Sequence, residues 1–180
     1  MNFTELEIPG LWLIEAKKFG DARGYFMESF KKEMFEKQIG KVNFIQDNES
    51  KSSYGVVRGL HFQKGEFAQA KLVRAVVGSV LDVVVDIRPD SPTYGKHVAI
   101  ELTEENALQL FIPRGLAHGF AVLSPSAIFG YKVDNTYMPS SEGCLLATDP
   151  VLGIDWKIPE NEFLMSDKDK TGSLLKDLII

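Results

Sequence analysis

The run from Lys71 to Arg88, KLVRAVV-GS-VLDVVVDIR, is the strongest constraint on the fold. Valine, leucine and isoleucine fill most positions on either side of Gly78-Ser79, and β-branched side chains suit a pleated, half-buried surface. Two β-rich runs joined by two residues predict a hairpin with Val77 opposite Val80. Side chains alternate along a strand, so one face would carry Lys71, Val73, Ala75, Val77, Val80, Asp82, Val84, Asp86 and Arg88. The other would carry Leu72, Val76, Leu81, Val83, Val85 and Ile87, with Arg74 its one polar member. The first face mixes charges with small apolar residues. It suits a solvated surface or the wall of a wet cavity inside a β-cup, and periodicity leaves both open.

Further short strands are predicted at HVAIEL, QLFIP, GFAVL and AIFGYKV, at a spacing suited to a sandwich or barrel. A helix is expected over Ser29–Gly40, capped by Ser29, with Phe30, Met34 and Ile39 along one side and Gly40 ending it. The tail SDKDKTGSLLKDLII predicts a short terminal helix capped by Ser166. No linker and no repeat of fixed period interrupts the chain, so residues 1–180 are expected to form one mostly β, jelly-roll domain with a few short helices. A net charge of −5 without a basic run argues against nucleic acid, yet leaves room for an anionic small molecule held by a few local cations. One cysteine, Cys144, excludes an internal disulfide. With no leader-like start and no apolar stretch of spanning length, the expectation is a soluble, cytoplasmic protein.

The chemistry must come from few residues. RGLHFQ, residues 58–63, puts Arg58 and His61 into a strand-like segment, and the two are three positions apart. A regular strand would send them to opposite faces, so a shared cavity requires a bulge, most naturally at Gly59. IPRGLAHGF, residues 112–120, resembles the second histidine motif of the cupin superfamily through Pro113, Gly115, His118 and Phe120. The matching first motif here is His61-Phe62-Gln63, with glutamine where a second metal ligand should stand, and His97 lies among charged neighbours. No bound metal is expected. There is no G-x-S-x-G elbow and no glycine-rich phosphate loop, and Cys144 reads as a small buried hydrophobe. Proton chemistry remains: a histidine base, a phenol acid and a cation for developing oxyanion charge.

FGDARGYF, QDN, RGLHFQ, KLV, IPRGLAHGF, YKVDNTY, SSEG and SDKD follow one another in this order. Over nearly the whole chain they resemble the dTDP-4-dehydrorhamnose 3,5-epimerase family of cofactor-free cupins. The resemblance implies a dimeric cupin-type jelly-roll barrel and epimerisation at C3 and C5 of a dTDP-4-keto-6-deoxy sugar. It implies His61 as base, Asp169 as the carboxylate that orients the imidazole, Lys71 beside the C4 oxygen and Tyr131 as the opposed acid. It also implies nucleotide contacts from Arg23, Glu28, Gln46, Asp47 and Asn48, partly across a dimer. Arg58, His118, Tyr137, Glu142 and Lys168 then match positions near the diphosphate or sugar. Asp82, on the face of Lys71, is expected to hold that lysine charged.

Two positions depart from the family's pattern. Thr136 stands where many members have the first of two tyrosines, Tyr137 keeping the second, and Arg114 replaces the usual acidic residue. Close alternatives are epimerisation at one carbon only and a related ketoisomerase. More distant ones are a metal-dependent cupin oxygenase or isomerase using His61 and His118, and a catalytically silent binding module.

Overall fold

The β-rich runs become two packed antiparallel sheets in the computed structural model, which describes residues 1–179. From edge to edge the first sheet runs β1 (Asn2–Glu5), β2 (Trp12–Glu15), β10 (Leu108–Ile112), β7 (Lys71–Val77), β12 (Ser126–Val133) and β5 (Gln46–Ser53). The second runs β13 (Glu142–Cys144), β6 (Val57–Gln63), β11 (Leu116–Val122), β8 (Ser79–Asp86) and β9 (His97–Thr103). A separate hairpin joins β3 (Lys18–Asp21) to β4 (Gly24–Met27).

The hairpin expected around Gly78 does not form. β7 pairs with β10 and β12, whereas β8 pairs with β9 and β11, so the chain changes sheets at Gly78. Gly78 has φ +74°, and a Cβ there would stand 2.2 Å from the Ser126 carbonyl oxygen. The local turn signal was outweighed by long-range pairing: crossing over gives each strand two neighbours and covers both its faces. The expected face parity nevertheless holds for most of the run. Val73, Ala75, Val80 and Val84 meet Leu110, Ile112, Phe120 and Phe129 between the sheets. Val77 does not join them; it lies past an irregularity in the β7–β12 register and is 40% exposed. Leu81, Val83, Val85 and Ile87 face the other way, onto Leu145, Leu152, Trp156 and Ile158 of the C-terminal segment. At the end of β8 the buried Asp86 receives a two-pronged bond from Arg88, at 2.9 and 2.8 Å.

The first helix is shorter than expected. α1 spans Lys32–Gln38 behind Lys31, and Ser29 supplies no cap; its carbonyl accepts a bond from Gln109 instead. Phe35 is the residue it buries, edge-on to Phe111 and Phe44, so the apolar side turns about Phe35 and not Met34. Gly40, at φ +117°, follows its end. The C-terminal helix α2 spans only Asp167–Lys170, with Ser166 capping it as expected. Gly172 lies against the backbone of Leu145 and Leu146, and a single 3-10 turn follows at Leu175–Asp177. Ile180, the last residue of the expected tail helix, lies outside the described residues.

Candidate active site

RGLHFQ occupies β6, and the bulge is where alternation requires it. On β11, His118 opposes His61 and Phe120 opposes Arg58, so the β6 side carries one extra residue. Gly59 absorbs it at φ +115°, and a Cβ there would lie 2.6 Å from the Gly119 Cα and 2.7 Å from the His118 carbonyl oxygen. Only glycine combines that φ with so close an approach. Arg58 and His61 consequently line one cavity of about 260 Å³, together with Lys71, His118, Phe129 and Tyr131. A second cavity of about 280 Å³ adjoins it across His61, Lys71 and Tyr131, and is bordered by Gln46, Asn48, Tyr137 and Glu142. A depression of about 510 Å³ opens on the far side of His61, edged by Arg58, Lys168 and Lys170.

His61 Nε2 lies 2.5 Å from Asp169 Oδ1, and Asp169 is buried. Ser166 donates to the other carboxylate oxygen at 2.7 Å while accepting from the Asp169 backbone N–H at 3.2 Å. Asp169 therefore completes a helix cap and orients an imidazole at once. Burial pushes its carboxyl upward, but the bonds from His61 and Ser166 outweigh that and hold it below the usual range. The pair keeps an anion beside the imidazole.

Lys71 opens β7, with its ammonium 3.5 Å from the His61 carbonyl oxygen. Burial lowers it to about 8, opposed by the negative charges of Asp82 and Glu142. The expected role of Asp82 is thus partly met, but its hydrogen bond goes elsewhere: Asp82 Oδ2 is 2.8 Å from His118 Nε2. The two sit diagonally on neighbouring strands, β8 and β11. Burial pushes the His118 imidazole down, against the pull of Asp82, and Lys71 and His61 push the same way. Tyr131 comes from β12, in the opposite sheet to His61, and packs near Phe129. Burial raises its phenol, only partly offset by Arg58, so it is a neutral donor at ordinary pH.

At the mouth Tyr137 donates to Glu142 at 2.8 Å, and Lys168 pairs with the same carboxylate. Gln46 bonds Asn48 at 2.7 Å on the cavity side of β5. Asp47 faces away and pairs with Lys132 at 2.8 Å, because three consecutive strand residues cannot share a face. Arg23 sits at the tip of the β3–β4 hairpin, bound to Asp21 at 2.5 Å, and Glu28 lies near Lys31. Neither reaches His61 within this chain. Gln63 has a role the motif reading did not foresee. Its amide donates to the carbonyls of Phe67 (2.7 Å) and Thr136 (3.0 Å) and accepts from the Met138 N–H at 2.7 Å. The residue at the vacant ligand position of a metal-binding cupin is thus committed to holding the loop that carries Tyr137. The signal was present in the sequence as a glutamine where a ligand belongs.

The sequence matches the family described as dTDP-4-dehydrorhamnose 3,5-epimerase over residues 5–177. The chain belongs to this epimerase family. It is therefore an isomerase, a carbohydrate epimerase. It is 52% identical over 178 residues to the dTDP-4-dehydrorhamnose 3,5-epimerase of Shigella flexneri, covering 98% of this chain and 97% of that one. The crystal structure of dTDP-4-dehydrorhamnose 3,5-epimerase from Elizabethkingia anophelis NUHP1 matches with TM-score 0.94 and 49% identity, covering 98% and 97% of the two chains. A dTDP-6-deoxy-D-glucose-3,5-epimerase from Legionella pneumophila Philadelphia 1, solved with dTDP-4-keto-L-rhamnose, matches with TM-score 0.94 and 45% identity, covering 99% and 94%. The cupin-type jelly roll expected from the motifs is the fold that this epimerase family shares.

Proposed function

We propose that this chain epimerises dTDP-4-dehydro-6-deoxy-D-glucose at C3 and C5, giving dTDP-4-dehydro-L-rhamnose. Both hydrogens are α to the C4 ketone, so removing either gives an enolate, and protonation from the opposite side inverts the carbon. The observation that carries the reading is the convergence of His61 and Tyr131, from different sheets, on one cavity that Lys71 also lines. His61 takes the proton, and Asp169 stabilises the imidazolium that results. The Lys71 ammonium, in a site where water is largely displaced, meets the charge growing on O4. Tyr131 returns a proton from the far wall. Arg58 and Lys168 suit the diphosphate, while Gln46, Asn48, Tyr137 and Glu142 border the space left for the nucleoside and sugar.

Incubation with the 4-keto sugar nucleotide in D₂O after exhaustive EDTA treatment tests this. Deuterium is expected at both C3 and C5, with activity undiminished, because Gln63 is engaged with the Tyr137 loop. Exchange at one carbon would point to a single-site epimerase, and at neither to a binding module. Loss that Fe²⁺ or Mn²⁺ restores would favour a metal-dependent cupin.

The same reading includes a homodimer with shared sites in the cytoplasm. The β3–β4 hairpin pairs with no other strand among the described residues and exposes Phe19 (54%), Tyr25 (54%) and Phe26 (66%). Apolar surface so presented calls for a partner, and a second copy would bring Arg23 and Glu28 towards the nucleotide end of the site. No helix among the described residues is long and apolar enough to cross a membrane. Sedimentation at assay concentration is expected to give a dimer, and Phe26→Asp to weaken it together with substrate affinity. A fully active monomer would remove the idea.

A further inference from the structure

The proton chemistry above uses the imidazole of His61 and the carboxylate of Asp169 but leaves a third side chain beside them idle. Cys144, on β13, stands directly opposite His61 on β6. Its sulfur is 4.0 Å from Asp169 Oδ1, the oxygen bonded to the His61 ring. A nitrogen, a sulfur and an oxygen ligand thus lie within 4.8 Å of one another, presented by two strands and a helix. In a tetrahedral zinc site with bonds of about 2.0–2.3 Å, ligand atoms stand roughly 3.3–3.8 Å apart. The sulfur is close to that separation from Asp169 already. The imidazole and carboxylate must part from 2.5 Å, which requires the His61 side chain, 32% exposed, to turn while Ser166 holds Asp169.

We propose that His61, Cys144 and Asp169 form an inhibitory site for a thiophilic divalent cation such as zinc or cadmium. The site differs from the interior cupin position, which would combine His61 with Gln63 and His118. It rests on His61 being the base: a cation on Nε2, the nitrogen that faces Asp169, leaves the ring proton on the other nitrogen, whose lone pair must accept the substrate's proton. On binding, Cys144 gives its thiol proton to solvent. A neutral His61 shifts its proton to the other ring nitrogen, and a cationic one releases it, so one or two protons leave and no electron moves. Burial, aided by the Asp169 charge, holds the free thiol up at about 11, which keeps it inert until a metal displaces the proton. Two of these ligands are what the family resemblance calls for; the thiol is the cysteine that ends SSEGC.

The test titrates wild type and Cys144→Ala with chelator-buffered zinc, following both epimerisation and α-deuterium exchange. Cys144→Ala is expected to keep its basal activity and to need roughly tenfold more zinc, or more, for the same inhibition, a loss at least as large as removing a mere supporting group from a metal site. Cys144→Ser serves the same purpose if the alanine variant folds poorly. Independently of activity, cobalt(II) is expected to give a sulfur-to-cobalt charge-transfer band in the near ultraviolet with wild type and none with either variant. Equal inhibition of wild type and variants, or a cobalt spectrum without the thiolate band, overturns the proposal. A thiolate band with exchange unimpaired would overturn the inhibitory role and count against His61 as base, while leaving the metal site standing.

Discussion

Replacing His61 by alanine is expected to lower turnover by roughly 10² to 10⁴, the usual contribution of a positioned acid–base group, and to lower α-deuterium exchange by the same factor. Both fall together because no enolate forms without the base. Tyr131→Phe is expected to behave differently. It should lose inversion yet retain exchange, since His61 can still remove a proton and return deuterium to the same side of the ring. The separation follows from geometry: His61 stands on β6 in one sheet and Tyr131 on β12 in the other. Deuterium content of unepimerised substrate, measured for each variant, checks it. Exchange at the wild-type rate in His61→Ala would mean that another group is the base.

Lys71→Ala is expected to depress exchange and epimerisation alike, by roughly 10² to 10³, as for loss of an oxyanion donor. The wild-type pH profile supplies an independent sign. Lys71 is held at about 8 by burial, so it is mostly cationic at neutral pH and loses its proton as pH rises through that value. kcat/KM, which reports the free enzyme, should therefore decline on the alkaline side from about pH 8, while Lys71→Arg, permanently charged, should lose that limb whatever its absolute rate. An alkaline limb unchanged in Lys71→Arg would assign it to another group.

Much of the site was legible because its residues lie in short ordered motifs, and one inference needed nothing but strand parity. Arg58 and His61 could share a wall only if the chain bulged at Gly59, and it does. The same parity, applied to Gln46, Asp47 and Asn48, rules out all three facing the nucleotide; Asp47 pairs with Lys132 on the outer side. The hairpin at Gly78 failed because a turn signal knows nothing of strands far along the chain, and β10, β12, β9 and β11 claimed both runs. Ser29 failed as a cap for a related reason: tertiary packing of Phe35 against Phe111 set where α1 begins. Asp82 lay on the expected face, but its partner depended on the β8–β11 register, which brings it to His118.

That the base and the acid stand on separate sheets has a consequence for engineering. The gap a sugar ring must fill between them is set by whatever keeps the sheets apart, and here Phe120 and Phe129 stack at 4.3 Å in that layer, beside Tyr131. These phenyl rings act as a spacer. Trimming one to leucine would let the walls settle closer or tilt, so its signature would be altered stereochemical fidelity (proton return to the wrong face) in a protein that still folds. The thickness of the hydrophobic layer, and not the identity of any polar group, would then become the adjustable parameter for accepting a bulkier or slimmer sugar.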